Sequence, residues 1–218
     1  MAVRHPLSAR LAWTLNWQSI HLMPLLRSDN AERGLLEFWT QQRRLLEVLA
    51  IAELSEASLS LDIGGGLTTP LRWAAGRRIC IDPLADDYAA RFPIPTERVA
   101  YVAGSGESLP WPENTFDFAV CTNCIDHTES PQQVMHEILR VLKPGGRFLF
   151  TCEEHASGTE RNEGHPHALT RPLIVALTQG FETELTWENA WLSIHNHFKR
   201  LPPEATSELG FLLRKPHA

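Results

Sequence analysis

Two acids and three consecutive glycines form the first group of residues in this chain that could do chemistry. The segment 61–70 reads LDIGGGLTTP, with Asp62 just ahead of Gly64, Gly65 and Gly66. Glycine lacks a Cβ, so the backbone there can turn tightly and approach a ligand closely. The next apolar run ends in CIDP, and its Asp82 can accept hydrogen bonds from both hydroxyls of a ribose. Against the dinucleotide pattern G-x-G-x-x-G, the segment agrees at Gly64 and Gly66 and has Thr69 at the last position. Against D-x-G-x-G-x-G it agrees at Asp62, Gly64 and Gly66 and departs at Thr68. Thr69 can cap a helix that begins at Pro70, taking the place of the missing glycine.

The charges discriminate between ligands. An acid at position 62 repels a pyrophosphate but suits a moiety carrying an ammonium and a sulfonium. With Asp82 on the ribose, the pattern favours S-adenosylmethionine over NAD.

These residues need a scaffold, and the sequence supplies one. From position 59 onward, strand-like runs alternate with helical ones: LSLDI, RICIDP, RVAYVAG, FDFAVCTN and RFLFTC are separated by segments of helical pattern. The segment SPQQVMHEILRVL places Val134, Ile138, Leu139 and Leu142 on one face, with Ser130 as cap and Pro131 in the first turn. Such alternation predicts a parallel sheet with helices on both sides, with ligands beyond the carboxyl ends of the strands. The later segments predict a helix (TRPLIVALTQG) and two strands (FETELTWEN and ELGFLLRKP), with a partly helical stretch between the strands. The first 57 residues are helical in pattern. Asp29 or Asn30 caps a long helix whose inward positions are Leu35, Trp39, Leu45, Leu46 and Leu49. The expected organisation is one domain: a helical cap over 1–57, a cofactor-binding core over 58–152, and acceptor-side elements over 153–218.

Composition narrows the function. At 218 residues, 43% hydrophobic and 21% charged, the chain suits a single globular domain. A net charge of −6 argues against a nucleic-acid partner, because phosphate binding needs clustered Lys and Arg. Neither a signal peptide nor a transmembrane segment is expected, which points to the cytosol. Cys121 and Cys124 form a CxxC, but no second pair accompanies it. Cys80, Cys121 and Cys152 fall in expected strands, so a packing role is favoured over zinc or redox chemistry.

Beyond the glycines, two longer motifs stand in order: GSGESLPWPENTFDFAVCTN and DHTESPQQVMHEILRVLKPGGRFLF. With LDIGGG and the acid of CIDP, residues 59–152 resemble the class I S-adenosylmethionine-dependent methyltransferases, in particular those with a ubiquinone-biosynthesis-like small-molecule core. The resemblance implies a Rossmann-like, seven-stranded, mostly parallel α/β sheet with an antiparallel last strand. It also implies that Gly64, Gly65 and Gly66 lie against the methionine portion, with Asp62 near the ammonium and Asp82 on the ribose. Ser105, Gly106 and Glu107 would frame the adenine, although relatives commonly carry Asp where Ser105 stands. Thr122 and Asn123 would face the methionine side.

The reaction implied is methyl transfer to a small-molecule acceptor with a hydroxyl, amine or carbon nucleophile. Such an in-line displacement needs alignment and exclusion of water, and a hydroxyl acceptor gains from a general base. His127, in CIDHTES, and His155, after Glu153 and Glu154, are the candidates, and the sequence does not choose between them. His155, His165, His167, His195 and His197 could bind a metal or line a polar acceptor pocket, and no metal ligand set is assigned. Trp13, Trp17, Trp39, Trp187 and Trp191 fall in the segments that could fold over the cleft, with packing the favoured role. The alternative reading is a non-catalytic S-adenosylmethionine-binding or assembly partner protein. Oligomeric state is left open.

Overall fold

The computed structural model describes residues 8–92, 98–162, 164–202 and 206–217. Five parallel strands build the framework: β1 (Leu59–Ile63), β2 (Arg77–Asp82), β3 (Ala100–Ala103), β4 (Phe116–Thr122) and β5 (Leu142–Glu154). Two more, β6 (Glu182–Ala190) and β7 (Ser207–Arg214), complete a seven-stranded sheet of order β3-β2-β1-β4-β5-β7-β6. Only β7 runs against the rest, pairing antiparallel with both β5 and β6. This is the expected Rossmann-like α/β sheet. The strand order reverses between β1 and β4, so the carboxyl ends of these two strands diverge and open a crevice for a ligand.

The helices are α1 (Ala9–His21), α2 (Met23–Leu26), α3 (Ala31–Arg43), α4 (Leu45–Ala52), α5 (Ala85–Arg91), α6 (Pro131–Val141), α7 (Arg171–Leu177) and α8 (Ile194–Phe198). Alternation along the strands divides the core in two. Leu61, Ile63, Phe148 and Phe150 pack with Val134 and Ile138 of α6 and Ile174 of α7. On the opposite face Phe118, Val120, Leu149 and Leu212 pack with Leu35, Phe38 and Trp39 of α3 and Val48 of α4. As expected, Ser130 caps α6, its hydroxyl accepting from the Gln133 amide at 3.3 Å.

Three local expectations change. The long N-terminal helix is broken at Arg44, whose φ of +52° is left-handed, and the break turns the next helix about its axis. Leu35, Trp39 and Leu45 are buried as expected, whereas Leu46 is rotated outward and is 53% exposed. Asn30 precedes α3 without making a side-chain cap. The KPGG turn lies inside β5, where the pairing with β4 shifts register between Phe116 and Phe118.

The end of α3 is fastened across the molecule. Arg43 Nε lies 2.5 Å from Glu208 Oε1 of β7, and both side chains are almost wholly buried. Gln42 donates to the second Glu208 oxygen at 3.1 Å, and the Arg43 guanidinium lies over the rings of Phe38 and Trp39. Within the described residues, no helix is long and apolar enough to cross a membrane.

Candidate functional site

The crevice at the strand ends is a cavity of about 740 Å³, within the size range of small-molecule sites. Its floor is the glycine turn. Gly64 and Gly66 have φ of +69° and +52°, and the Gly64 amide donates to Ile81 O at 2.8 Å. A Cβ at Gly64 would stand 2.7 Å from Cys124 Sγ, so only glycine lets the turn close against the segment that follows β4. Thr69 caps as expected, its hydroxyl accepting from Leu71 N at 3.2 Å. What it caps is a single 3-10 turn, Pro70–Trp73, rather than a longer helix.

Asp82 projects into the cavity from the end of β2 with both oxygens fixed. Oδ2 accepts from Gly66 N at 3.1 Å and Oδ1 from Leu84 N at 2.8 Å. Each oxygen keeps a second lone pair for a ligand hydroxyl. Burial pushes this carboxyl up to about 6, against the pull of the two amides.

Asp62 is the acid expected near the ammonium, directly or through water. It is fully buried beneath the turn, on the face of β1 opposite Ile63, and does not line the cavity. A side chain at Gly65 would collide with its carboxyl group. Burial pushes Asp62 up to about 8, opposed by the Thr69 hydroxyl and reinforced by the Asp82 charge. Burial thus favours its protonated form, and the β1 pleat turns the carboxyl away from the ligand side.

The remaining expected cofactor residues all line the cavity: Ser105, Gly106, Glu107, Thr122 and Asn123. The Ser105 hydroxyl hydrogen-bonds the Glu107 carboxylate, which also accepts from Glu129 N at 2.7 Å. Burial alone would raise Glu107, but these donors hold it below the usual carboxylate range. Asn123 follows β4 with φ of +49°, its amide donating to Thr151 O at 2.9 Å.

The second half of the cavity is walled by α1, Trp191 and a histidine group. Trp13 and Trp17 line it directly, so these indoles shape the chamber as well as packing. Gln18 of α1 reaches the glycine turn and leaves its Oε1 without a hydrogen-bond partner.

The structure separates the two candidate bases. His127 lines the chamber, with Nδ1 paired to the Gly164 carbonyl. His155 does not, since its Nδ1 accepts from Leu169 N at 3.1 Å, beside rather than within the chamber. Two residues not singled out as bases join His127: His165, which lines the chamber, and Asp126, buried behind it. Asp126 is 3% exposed, and its Oδ2 lies 2.7 Å from His165 Nδ1. Burial and the His127 and His165 contacts oppose each other at Asp126, and the imidazoles prevail, lowering it. Burial likewise lowers His127, whereas at His165 the Asp126 hydrogen bond and charge overcome burial and raise it. The signal for Asp126 was its place beside His127 in CIDHTES, and for His165 the HPH sequence. Their meeting, 39 positions apart, is tertiary.

Cys121 and Cys124 face each other with Sγ atoms 3.2 Å apart, and all four cysteines are free thiols. Cys80, Cys121 and Cys152 are wholly buried in β2, β4 and β5.

A glycine floor that tolerates no side chain and a ribose-ready carboxylate beside a chamber fit an adenosyl ligand. Residues 61–150 match the family described as methyltransferase domain, a segment shorter than half of the chain. Among relatives, an uncharacterised methyltransferase of Mycobacterium tuberculosis is 36% identical over 95 residues, covering 42% of this chain and 37% of that protein. The chain thus matches little more than a third of that relative's length. The solved YcgJ protein of Bacillus subtilis superposes with a TM-score of 0.61 at 18% identity, covering 82% of this chain and all of that one. The [4+2]-cyclase SpnF superposes with a TM-score of 0.67 at 20% identity, over 98% and 97% of the two chains. At these identities the two structures speak for the fold.

Proposed function

We propose that this protein transfers a methyl group from S-adenosylmethionine to a small-molecule acceptor. The observation that carries this reading is one continuous cavity joining the glycine turn and Asp82 to the chamber of Trp13, Trp17 and His127. When bound, the cofactor supplies an electrophilic methyl group on a sulfonium.

The chain's own residues supply the rest. Asp82 holds the ribose hydroxyls, Gly64–Gly66 admit the methionine portion, and Ser105 with Glu107 borders the adenine. The α1 indoles Trp13 and Trp17 wall the chamber with apolar surface, which disfavours water and so favours displacement by the acceptor over hydrolysis. A hydroxyl acceptor would lose its proton to the wall of His127 and His165, which line the chamber with Asp126 buried behind them. Of the two bases expected from sequence, this reading retains His127 and sets His155 aside. Because the [4+2]-cyclase shows that this fold also serves other chemistry, binding and transfer need separate tests.

Thermal shift tests binding. S-adenosylmethionine or S-adenosylhomocysteine at millimolar concentration should raise the melting temperature, NAD should not, and Asp82→Ala should abolish the shift. No shift with either adenosyl ligand overturns the assignment. A shift without labelled-methyl transfer to any member of a broad acceptor panel favours a non-catalytic binding protein instead.

A further inference from the structure

We propose that Asp126, His127 and His165 form a binding site for one divalent transition-metal ion of the zinc class, at the acceptor end of the cavity. One donor atom from each residue lies within 4.8 Å of the other two. His165 Nδ1 is 2.7 Å from Asp126 Oδ2, and His127 Nε2 is 4.0 Å from Asp126 Oδ1. Metal–ligand bonds of about 2.1 Å place neighbouring donors of a tetrahedron about 3.4 Å apart, so small side-chain shifts bring these three around a common centre.

The surroundings are arranged as ligand support. His127 spends Nδ1 on the Gly164 carbonyl, which fixes the proton there and leaves the Nε2 lone pair directed to the group. The segment carrying Gly164 and His165 is held by Asn162, whose Oδ1 accepts from both of their amides at 2.9 Å. Trp13 covers the group, its ring centroid 5.2 Å from that of His165. Asp126 is buried, and the only side chains it pairs with among the described residues are imidazoles. Arg10 of α1, whose charge acts on His127, is engaged by Glu129 at 3.0 Å.

Two histidines and one carboxylate suit Zn²⁺, Co²⁺ or Ni²⁺ better than Mg²⁺ or Ca²⁺, which prefer oxygen donors. Both histidines line the cavity, so the unfilled coordination positions face the chamber. An acceptor oxygen could take one of them. That role rests on the proposed methyl transfer, whereas metal binding itself does not.

The test uses the full chain after chelator treatment. Titration with Co²⁺ should give visible ligand-field bands that saturate at one equivalent, and calorimetry with Zn²⁺ should show one site. Asp126→Asn and His165→Gln should each weaken Zn²⁺ binding more than about tenfold. His136→Ala, at an exposed position outside the group, should leave it unchanged, and circular dichroism confirms that each variant is folded. Absence of saturable bands, or Zn²⁺ binding indifferent to His165→Gln, overturns the site and leaves the Asp126–His165 contact as an ion pair alone. A thermal shift with S-adenosylmethionine on the same metal-free sample keeps this result separate from the methyltransferase reading.

Discussion

Replacing Asp62 with Asn should make the protein more stable, by an amount that depends on pH. The group titrates at 3.8 when free and at about 8 in the folded chain, where burial disfavours its charge. Between those values the unfolded chain has released the proton and the folded chain has kept it. The native protein therefore binds more protons, and its stability falls as pH rises through this window. At pH 7 the distance from the free value is a little over three pH units, or roughly 4 kcal/mol at about 1.4 kcal/mol per unit.

Asn has the same shape and cannot ionise in either state, so the variant escapes this loss. Urea denaturation followed by the fluorescence of the seven tryptophans gives stability at each pH. The variant's advantage over the native chain should grow by roughly 4 kcal/mol between pH 4 and pH 7 and level off above pH 8. Asp82, also raised by burial, is present in both proteins and largely cancels from the comparison. A difference that stays flat across this range, or that shifts in favour of the native chain with rising pH, would refute the reasoning: Asp62 would then be ionised in the fold.

Three further substitutions test other parts of the structure. Gly64→Ala adds a Cβ 2.7 Å from Cys124 Sγ at a left-handed φ; it should cost about 1–3 kcal/mol in denaturation and abolish the cofactor-induced thermal shift. Glu208→Ala leaves the Arg43 guanidinium buried without its counter-charge and should cost about 3–5 kcal/mol, read from the same urea curves. Thr69→Ala removes the cap on Leu71 N and should cost about 1 kcal/mol, with a smaller loss of cofactor affinity than Gly64→Ala, measured by calorimetry.

Much of the sheet was legible because its strands are short apolar runs punctuated by glycine, proline and acids. That patterning located β1, β2, β3, β4 and β5, and with them the glycine turn and Asp82. Local sequence also identified the Thr69 and Ser130 caps, since each depends only on residues two or three positions away. Asp62 was legible as a residue but not as an environment. Its burial follows from strand pleat and from the packing above it, neither of which an isolated motif encodes. The break at Arg44 was hidden because leucines at helical spacing continue across it while the backbone does not. Asp126 and His165 escaped selection as a pair because their contact requires two loops, from different strands, to meet at one end of the sheet.

The position of β7 bears on how the chain is made. Glu182–Ala190 is synthesised before Ser207–Arg214, yet the later strand lies between the earlier one and β5. On the ribosome, therefore, β5 waits with an open edge, and β6 has no native neighbour until β7 arrives. Glu208 arrives with it, so the charge of Arg43 has no buried partner during that interval. Closing the sheet and neutralising its interior cation are then a single late event, and chaperone dependence of the nascent protein should be greatest just before it.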